Sequence, residues 1–246
     1  MTRINILLCD TFPGRLPDFI PNYESLFFDL FAAVGEQVSY KVFQTWQGEL
    51  PSAISSDEIY LVPGSLDSAY DDKPWIVALL NWIERAYVRG AKLMGVCFGH
   101  QAIALALGGK VQQYEGGYGV GVRASRVIDE RMNPYFPVGE MRLLYSHHDQ
   151  VTALPQDAVL CATSNFCRNE SFRIGNQVIS FQGHPEFTVA YSRHLLINHC
   201  DDVDLAVRQA ALQSLETLTP QGPTAARYTL NELCGVRREE RERGCN

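Results

Sequence analysis

Short apolar runs alternate with amphipathic stretches along the first half of the chain. The runs are typical of buried strands, and they lie at residues 4–9, 39–43, 58–62 and 93–96. Between them, apolar residues recur at helical spacing over 23–34 and 75–88. Strands separated by helices of this length predict βαβ units, and hence a mostly parallel sheet with helices on both faces.

The chain changes character after Gly109. Short apolar segments follow one another with few helices between them, and they predict strands at 122–128, 141–145, 158–163, 171–174 and 177–181. Gly175 and Asn176 fit a tight turn between the last two strands. We interpret this part as an antiparallel extension that returns to the main sheet of an α/β fold.

Three further amphipathic stretches predict helices near the end of the chain, at 188–199, 203–218 and 225–234. We expect one domain over residues 1–200 and a C-terminal helical extension over 201–246. The charged run at 237–243 alternates in sign, which is typical of a solvated helical face or a frayed tail.

The segment around Cys97 combines a strand, a sharp turn and a helix. An apolar run ends at Val96, and a helical pattern follows over 100–107. Gly95 and Gly99 flank the cysteine, as in the turn that presents a nucleophile between a strand and a helix, where a Cβ at either flank would collide. The helix start would favour the thiolate of Cys97. The alternative is a core strand that contains an incidental buried cysteine.

A histidine and a glutamate follow the last predicted strand. His184 and Glu186 can point the same way on an extended segment, and Pro185 stiffens that geometry. A cysteine nucleophile needs a base, and the base needs a third group that holds its tautomer and orientation. Alone, this tripeptide fits a surface turn; together with Cys97 it predicts a Cys-His-Glu triad. Gly64 and Cys97 both follow strands, at the edge of a parallel sheet where sites form.

Composition argues against several other classes of function. The formal net charge is −7, and no basic stripe could neutralise the phosphates of a nucleic acid. Seven cysteines without a C-x-x-C pair argue against a disulfide framework or structural zinc, and they fit a reducing cytoplasm. No apolar run is long enough for a signal peptide or a membrane span. We therefore expect a cytoplasmic protein that binds neither nucleic acid nor membrane and needs no cofactor.

Three separated motifs resemble the class I (triad) glutamine amidotransferases. They are GVCFGHQ at 95–101, GHPE at 183–186 and YSHHDQV at 145–151, the last similar to the family's Ser-His-x-Asp segment before a strand. The resemblance covers roughly residues 60 to 187 and implies the flavodoxin-like fold of that family. Within the family, the chain is most similar to stand-alone domains like the glutaminase portion of GMP synthase, including γ-glutamyl peptidase-like proteins. The segment 63–75 also resembles this subgroup.

The resemblance implies a role for each member of the triad. Cys97 would attack the side-chain carbonyl of glutamine or of a γ-glutamyl amide. His184 would give a proton to the leaving ammonia or amine, and would then activate water against the γ-glutamyl thioester. Glu186 would orient His184.

The resemblance also implies residues that bind the substrate. Backbone N–H groups of Gly64 and Phe98 would form the oxyanion hole. The α-amino and α-carboxylate groups of the substrate would be held by Gln101, Ser146 and His147. The alternatives for residues 147–149 are a plain turn or a zinc site, and zinc is disfavoured because a third well-spaced ligand is missing.

The chain departs from the family pattern at the loop after the third strand. Pro63 has no N–H, so the oxyanion donor of this loop can only be Gly64 or Ser65. The segment 64–68 is faintly similar to a phosphate-binding loop, but one loop cannot readily serve both a thiol site and ATP. GMP synthases continue into an ATP pyrophosphatase domain, which the residues after Glu186 are too few to form, so the chain is not expected to make GMP alone.

Three functions stay open at this point. The first is a glutaminase that supplies ammonia to a separate synthetase subunit, and the second is a free-standing hydrolase of γ-glutamyl amides or peptides. The third is a catalytically silent module kept for protein contacts, against which the intact triad argues. The sequence does not separate the first two.

The seven cysteines are expected to differ in reactivity. Cys97 should react first with a glutamine-shaped electrophile, because thiol reactivity follows thiolate fraction and access. Cys9 and Cys161 fall in buried strands, and Cys200 falls at a helix C-terminus. The cysteines in loop or tail sequence should react at ordinary rates, and they are Cys167, Cys234 and Cys245.

Overall fold

A computed structural model describes residues 2–35 and 37–235, which form eleven strands, six α-helices and one short 3-10 helix at Thr45–Gln47. The strands are β1 (Thr2–Leu8), β2 (Val38–Gln44), β3 (Ile59–Val62), β4 (Lys92–Val96), β5 (Lys110–Gln113), β6 (Gly119–Val127), β7 (Glu140–His147), β8 (Asp149–Ala153), β9 (Val159–Thr163), β10 (Ser171–Ile174) and β11 (Val178–Phe181). The helices are α1 (Glu24–Ala32), α2 (Pro74–Val88), α3 (Phe98–Ala106), α4 (Val189–Asn198), α5 (Leu205–Thr217) and α6 (Gly222–Cys234). The charged run at 237–243 lies outside the described residues.

Nine of the strands form one sheet in the order β2-β1-β3-β4-β11-β10-β9-β6-β7. The strands from β2 to β11 in this order are parallel to one another. From β11 onward each neighbour is antiparallel. The expected α/β fold, with a parallel sheet and an antiparallel extension, is confirmed.

The parallel strands are buried on both faces. Within β3, Ile59 and Leu61 pack into one hydrophobic cluster, whereas Tyr60 and Val62 pack into the other. Helices cover each face of such a sheet, so both sets of side chains leave water. This is why the strands read as continuous apolar runs and not as alternating patterns.

The predicted elements are confirmed to within a few residues, but two strands are additional. The sequence pattern does not predict β5 or β8, which pair with each other in a separate two-stranded sheet. Only Val111 is buried in β5, and a strand of four residues with one buried side chain carries no periodic signal.

Helix α5 packs on the antiparallel half of the sheet. The Val122 N–H donates to Ser214 Oγ at 2.9 Å. Gly121 has φ +78°, and a Cβ there would come within 2.6 Å of the same oxygen. Glycine is therefore required at this crossing both by its backbone conformation and by the close approach of the helix.

Helix α6 begins directly against the segment that carries His184 and Glu186. A Cβ on Gly222 would lie 2.1 Å from the carbonyl oxygen of Pro185. The tail beyond residue 200 thus supports the predicted site, and its helices share the main hydrophobic cluster. The domain division at residue 200 stays a prediction. No helix among the described residues is long and apolar enough to cross a membrane.

Candidate active site

Cys97 occupies the sharp turn between β4 and α3. Its backbone has φ +52° and ψ −105°, a conformation that costs energy for any residue with a side chain. The Cys97 N–H donates to the Phe181 carbonyl at 2.9 Å, which ties the turn to the end of β11. A Cβ on Gly95 would approach the Gly99 carbonyl oxygen at 2.7 Å, and one on Gly99 would overlap the Val62 carbonyl oxygen at 1.8 Å. The flanking glycines are therefore required for the steric reason expected from the sequence.

His184 and Glu186 form a buried pair just beyond β11. His184 Nδ1 lies 2.7 Å from Glu186 Oε1, and each residue is 3% exposed. A carboxylate accepts, so Nδ1 carries the proton and Nε2 is the nitrogen left for proton transfer. The imidazole stacks on the Phe187 ring at 3.8 Å between centroids, and the His184 N–H donates to the Leu144 carbonyl at 2.7 Å. These contacts fix the ring in position and orientation.

The charges around His184 favour its protonated form. Burial lowers the pKa of His184, but the Glu186 carboxylate and the Cys97 sulfur outweigh burial and raise the pKa to about 10. Cys97 and His184 line the same small recess, of about 40 Å³. At neutral pH the imidazole beside the sulfur is therefore protonated on both ring nitrogens.

A larger cleft of about 370 Å³ opens in front of Cys97 and adjoins this recess. Its size lies within the usual range for small-molecule sites. The residues predicted from the sequence that line the cleft are Cys97, Phe98, Gln101, Ser146 and His147. The tertiary structure thus brings the three separated motifs to one place.

Gln101 and His147 are both bonded to the Asp149 carbonyl. Gln101 Nε2 donates to this oxygen at 2.9 Å and to Gln182 Oε1 at 3.1 Å, which leaves the Gln101 carbonyl oxygen for a ligand. His147 Nδ1 donates to the Asp149 carbonyl at 3.0 Å. Burial, opposed in part by this carbonyl, lowers the pKa of His147 to about 3, so the ring is neutral at physiological pH.

Two backbone segments carry the N–H groups expected to form an oxyanion hole. Phe98 is the first residue of α3, so its N–H lies outside the hydrogen-bond ladder of the helix. The Gly64 N–H donates to the Tyr23 hydroxyl at 3.3 Å, and Gly64 is not among the residues that line the cleft or the recess. Ser65 lines both the cleft and the recess. Of the two residues that Pro63 leaves open, Ser65 lines the space around Cys97, whereas a Cβ on Gly64 would lie 3.1 Å from His184 Cε1.

Two polar residues beside Cys97 are additional to the predicted set. Gln182 Nε2 donates to the Cys97 sulfur at 3.7 Å. The Asp149 carboxylate accepts from Ser68 Oγ at 2.6 Å and from the Tyr70 hydroxyl at 3.0 Å, which joins the two walls of the cleft. Both residues lie in or beside the sequence motifs, so their position in the chain was the available signal.

A third residue of the site, Tyr23, lies outside the sequence motifs, so the sequence does not indicate it. Its hydroxyl donates to Glu186 Oε1 at 2.8 Å, across 163 positions of sequence. The chain contains eleven tyrosines, and nothing in the local sequence distinguishes this one. Only the folded structure reveals the contact.

The expectation for Cys167 is wrong. Its side chain is fully buried, and burial together with Glu170 raises the pKa of its thiol, so it cannot react at an ordinary rate. Its N–H donates to Ser164 Oγ at 3.0 Å, which folds the loop inward. Cys234 ends α6 and is partly exposed, whereas Cys245 lies outside the described residues. Within residues 2–35 and 37–235, no group of three or more metal-binding side chains is placed to hold an ion.

A parallel sheet that presents a cysteine at its carboxyl edge, beside a buried histidine, has the arrangement of thiol-dependent hydrolases and transferases. Residues 16–202 match the family model described as glutamine amidotransferase class-I, and the chain belongs to this family. It is therefore an enzyme of the hydrolase or amidotransferase type.

Known proteins support this placement. The chain is 31% identical to γ-glutamyl peptidase 3 of Arabidopsis thaliana over 189 residues, which cover 74% of each chain. A glutamine amidotransferase of Thermotoga maritima has a similar fold, with a TM-score of 0.73 at 18% identity, over 95% of this chain and 98% of the other. A glutamine amidotransferase of Methylobacillus flagellatus has a TM-score of 0.70 at 20% identity, over 95% and 94%.

Proposed function

We propose that the chain hydrolyses the side-chain amide of glutamine, with Cys97 as nucleophile, His184 as acid and base, and Glu186 as the group that orients His184. The observation that carries this proposal is the buried His184–Glu186 pair, 2.7 Å apart, on the recess that Cys97 also lines. A nucleophile, a base within reach and a third orienting group are what covalent acyl transfer requires.

The reaction proceeds through a thioester. The Cys97 sulfur attacks the amide carbon and forms a tetrahedral intermediate, which collapses as the carbon–nitrogen bond breaks. His184 gives its proton to the departing nitrogen, so ammonia leaves neutral. A water molecule then loses a proton to His184 and attacks the thioester, and the carbon–sulfur bond breaks to release glutamate. The proton taken from water stays on His184 and the sulfur departs without one, while the new carboxyl group loses its remaining proton to solvent, which restores the starting state.

The intermediate carries a negative oxygen that needs hydrogen-bond donors. The Phe98 N–H at the start of α3 supplies one, and the Ser65 N–H supplies the other in place of the Gly64 N–H, which is bonded to Tyr23. Loss of one such donor typically costs about 3–4 kcal/mol of transition-state stabilisation. Ser146, neutral His147 and the free oxygen of Gln101 hold the α-amino and α-carboxylate groups.

A second substrate class is favoured by two observations. The cleft of about 370 Å³ is open beyond Cys97, so a leaving group larger than ammonia has room. The chain is also 31% identical to a protein named as a γ-glutamyl peptidase, in a match that covers 74% of both chains. Hydrolysis of γ-glutamyl peptides uses the same residues, with an amine in place of ammonia. Assays of the purified chain on glutamine and on γ-glutamyl dipeptides rank the two substrates.

The Cys97→Ala substitution tests the nucleophile. We expect hydrolysis of every γ-glutamyl substrate to fall to background, while the thermal unfolding midpoint stays close to that of the wild type, because alanine removes only the sulfur of a residue that lines the recess. Cys234→Ala, at the end of α6, is the matched control and should keep full activity. More than trace activity in Cys97→Ala would remove Cys97 from the mechanism.

The biological setting of the reaction stays a prediction. A synthetase that receives ammonia should accelerate a slow glutaminase, whereas a free-standing peptidase should be fast alone. Rates measured with and without cell fractions separate these cases. The cytoplasmic location expected from the cysteine content is tested by fractionation of cells.

A further inference from the structure

One tyrosine links the two halves of the predicted site. Tyr23 stands immediately before α1 and is 1% exposed, and its hydroxyl lies between Glu186 and the loop after β3. It donates to Glu186 Oε1 at 2.8 Å and accepts the Gly64 N–H at 3.3 Å. The same Oε1 accepts from His184 Nδ1 at 2.7 Å, so two donors converge on one carboxylate oxygen.

The direction of these bonds is fixed by chemistry. A hydroxyl has one proton, and a backbone N–H can only donate, so the proton of Tyr23 goes to the carboxylate. Burial, followed by the charge of Glu186 and the hydrogen bond to it, raises the pKa of Tyr23 well above its ordinary range. The hydroxyl therefore remains a donor at every pH at which the enzyme is expected to work.

The ring of Tyr23 is held rigidly by aromatic contacts. Phe12 packs edge-on against it at 4.5 Å between ring centroids, and Phe27 does so at 5.6 Å. Phe12 has φ +49°, a conformation that is costly for a residue with a side chain. Its N–H donates to Asp10 Oδ1 at 2.8 Å, which stabilises this turn. The hydroxyl is thus presented at a defined point.

We propose that Tyr23 is a positioning residue for the glutamate of the triad: its hydroxyl holds Glu186 in the orientation that keeps His184 directed toward Cys97. This inference rests on the proposed function. Among the described residues, none donates a hydrogen bond to the second carboxylate oxygen, Oε2. The two donors on Oε1 therefore determine the orientation of the carboxylate. The bond to Gly64 also ties the acid to the loop that carries the Ser65 N–H.

The experiment compares Tyr23→Phe with wild type in steady-state kinetics on the better γ-glutamyl substrate. The substitution removes one hydrogen bond to a charged group. We expect kcat to fall about ten- to a hundredfold while KM changes less than about threefold, because the group acts on the reacting side chains and not on the substrate. Rates are expressed per Cys97 thiol that free glutamine protects from labelling, so any unfolded fraction is excluded from the comparison.

Tyr60→Phe is the matched control. Tyr60 is also a buried tyrosine whose hydroxyl bonds a loop amide, accepting from the Ser55 N–H at 2.9 Å, but it lies away from the cleft. It should lose comparable thermal stability and keep wild-type kcat. A fall in kcat of similar size in Tyr60→Phe would mean that loss of stability alone explains the effect in Tyr23→Phe, and the inference would be overturned.

A double-mutant cycle with Glu186→Gln tests whether Tyr23 acts through the acid. Groups that act as one unit are strongly non-additive, so Tyr23→Phe should cost less than about threefold in the Glu186→Gln background. A full additional loss there, or wild-type kcat in Tyr23→Phe alone, overturns the inference. If Cys97→Ala retains wild-type rates, the proposed function has failed instead, whereas wild-type rates in Glu186→Gln overturn this inference, because Tyr23 then has no catalytic group to act through.

Discussion

Two segments carry the predicted triad, the turn at Cys97 and the segment with His184 and Glu186, and different kinds of contact position them. The Cys97 turn is built mostly from its own neighbours: a strand, two glycines and a helix within fifteen residues of sequence, Lys92–Ala106. The His184–Glu186 segment depends on distant parts of the chain, namely Tyr23, Leu144 and Gly222. The first segment can be predicted from the local sequence, whereas the second acquires its geometry only in the fold.

This difference has a physical cause. A strained turn can be satisfied locally, because glycines remove the clashes and the strand and helix on either side anchor it. A buried carboxylate and imidazole must instead be desolvated, paired and oriented, and this needs donors and packing surfaces from several elements. Substitutions in the distant supports should therefore separate the two segments.

Among substitutions in the His184–Glu186 segment and its supports, the largest effect on rate is expected from Glu186→Gln. The substitution keeps the shape of the side chain but removes the charge that raises the pKa of His184 against the effect of burial. We expect kcat to fall by about 10²–10⁴-fold, the range typical for loss of a triad acid. The alkaline limb of the pH–rate profile should also move to lower pH, because His184 must be protonated to give its proton to the leaving nitrogen and its pKa falls when the charge of Glu186 is removed.

Glu84→Gln, on the exposed face of α2, provides the control for this change and should behave as wild type. Since the Cys97 turn does not use Glu186, the fold of Glu186→Gln should stay intact by circular dichroism. Unchanged kinetics in Glu186→Gln would reduce this residue to a structural role.

A smaller effect is expected from Gly222→Ala. Alanine usually stabilises a helix relative to glycine by about 0.5–1 kcal/mol. Here its Cβ would lie 2.1 Å from the Pro185 carbonyl oxygen, so α6 or the His184–Glu186 segment must shift. We expect a loss of stability of about 1–3 kcal/mol, as for other overpacked sites, and about a tenfold loss of kcat.

Thr224→Ala, in the same first turn of α6, should leave kcat unchanged. Alkylation of Cys97 in Gly222→Ala sharpens the comparison, since the local turn should still present the sulfur. If Gly222→Ala gains stability and keeps wild-type kcat, the tail does not support the site in the way that the packing indicates.

The smallest perturbation is chemical labelling, which leaves the sequence unchanged. A glutamine-shaped electrophile at neutral pH should modify Cys97 first, because it lines the cleft, and free glutamine should protect it. Cys167 is 0% exposed and its thiol has a raised pKa, so it should label only after unfolding. Peptide mapping by mass spectrometry measures the order. Equal labelling of Cys167 and Cys97, without protection by glutamine, contradicts the assignment of the cleft.

The sequence by itself determined the βαβ order of the first half, the turn at Cys97 and the pairing of His184 with Glu186. These features leave strong local signals: continuous apolar runs come from strands buried on both faces, and paired glycines come from a turn that tolerates no Cβ at its flanks. The family resemblance added the residues of the cleft wall, which the fold brings together.

Only the tertiary structure decided the remainder. It paired β5 with β8, which have too few buried residues to show a period. It buried Cys167, directed the Gly64 N–H toward Tyr23, and brought the Tyr23 hydroxyl to Glu186 from 163 positions away. A hydrogen bond between distant residues imposes no pattern on the residues next to either partner. Such contacts are therefore fixed by the packing of whole elements, and a single sequence carries no local trace of them.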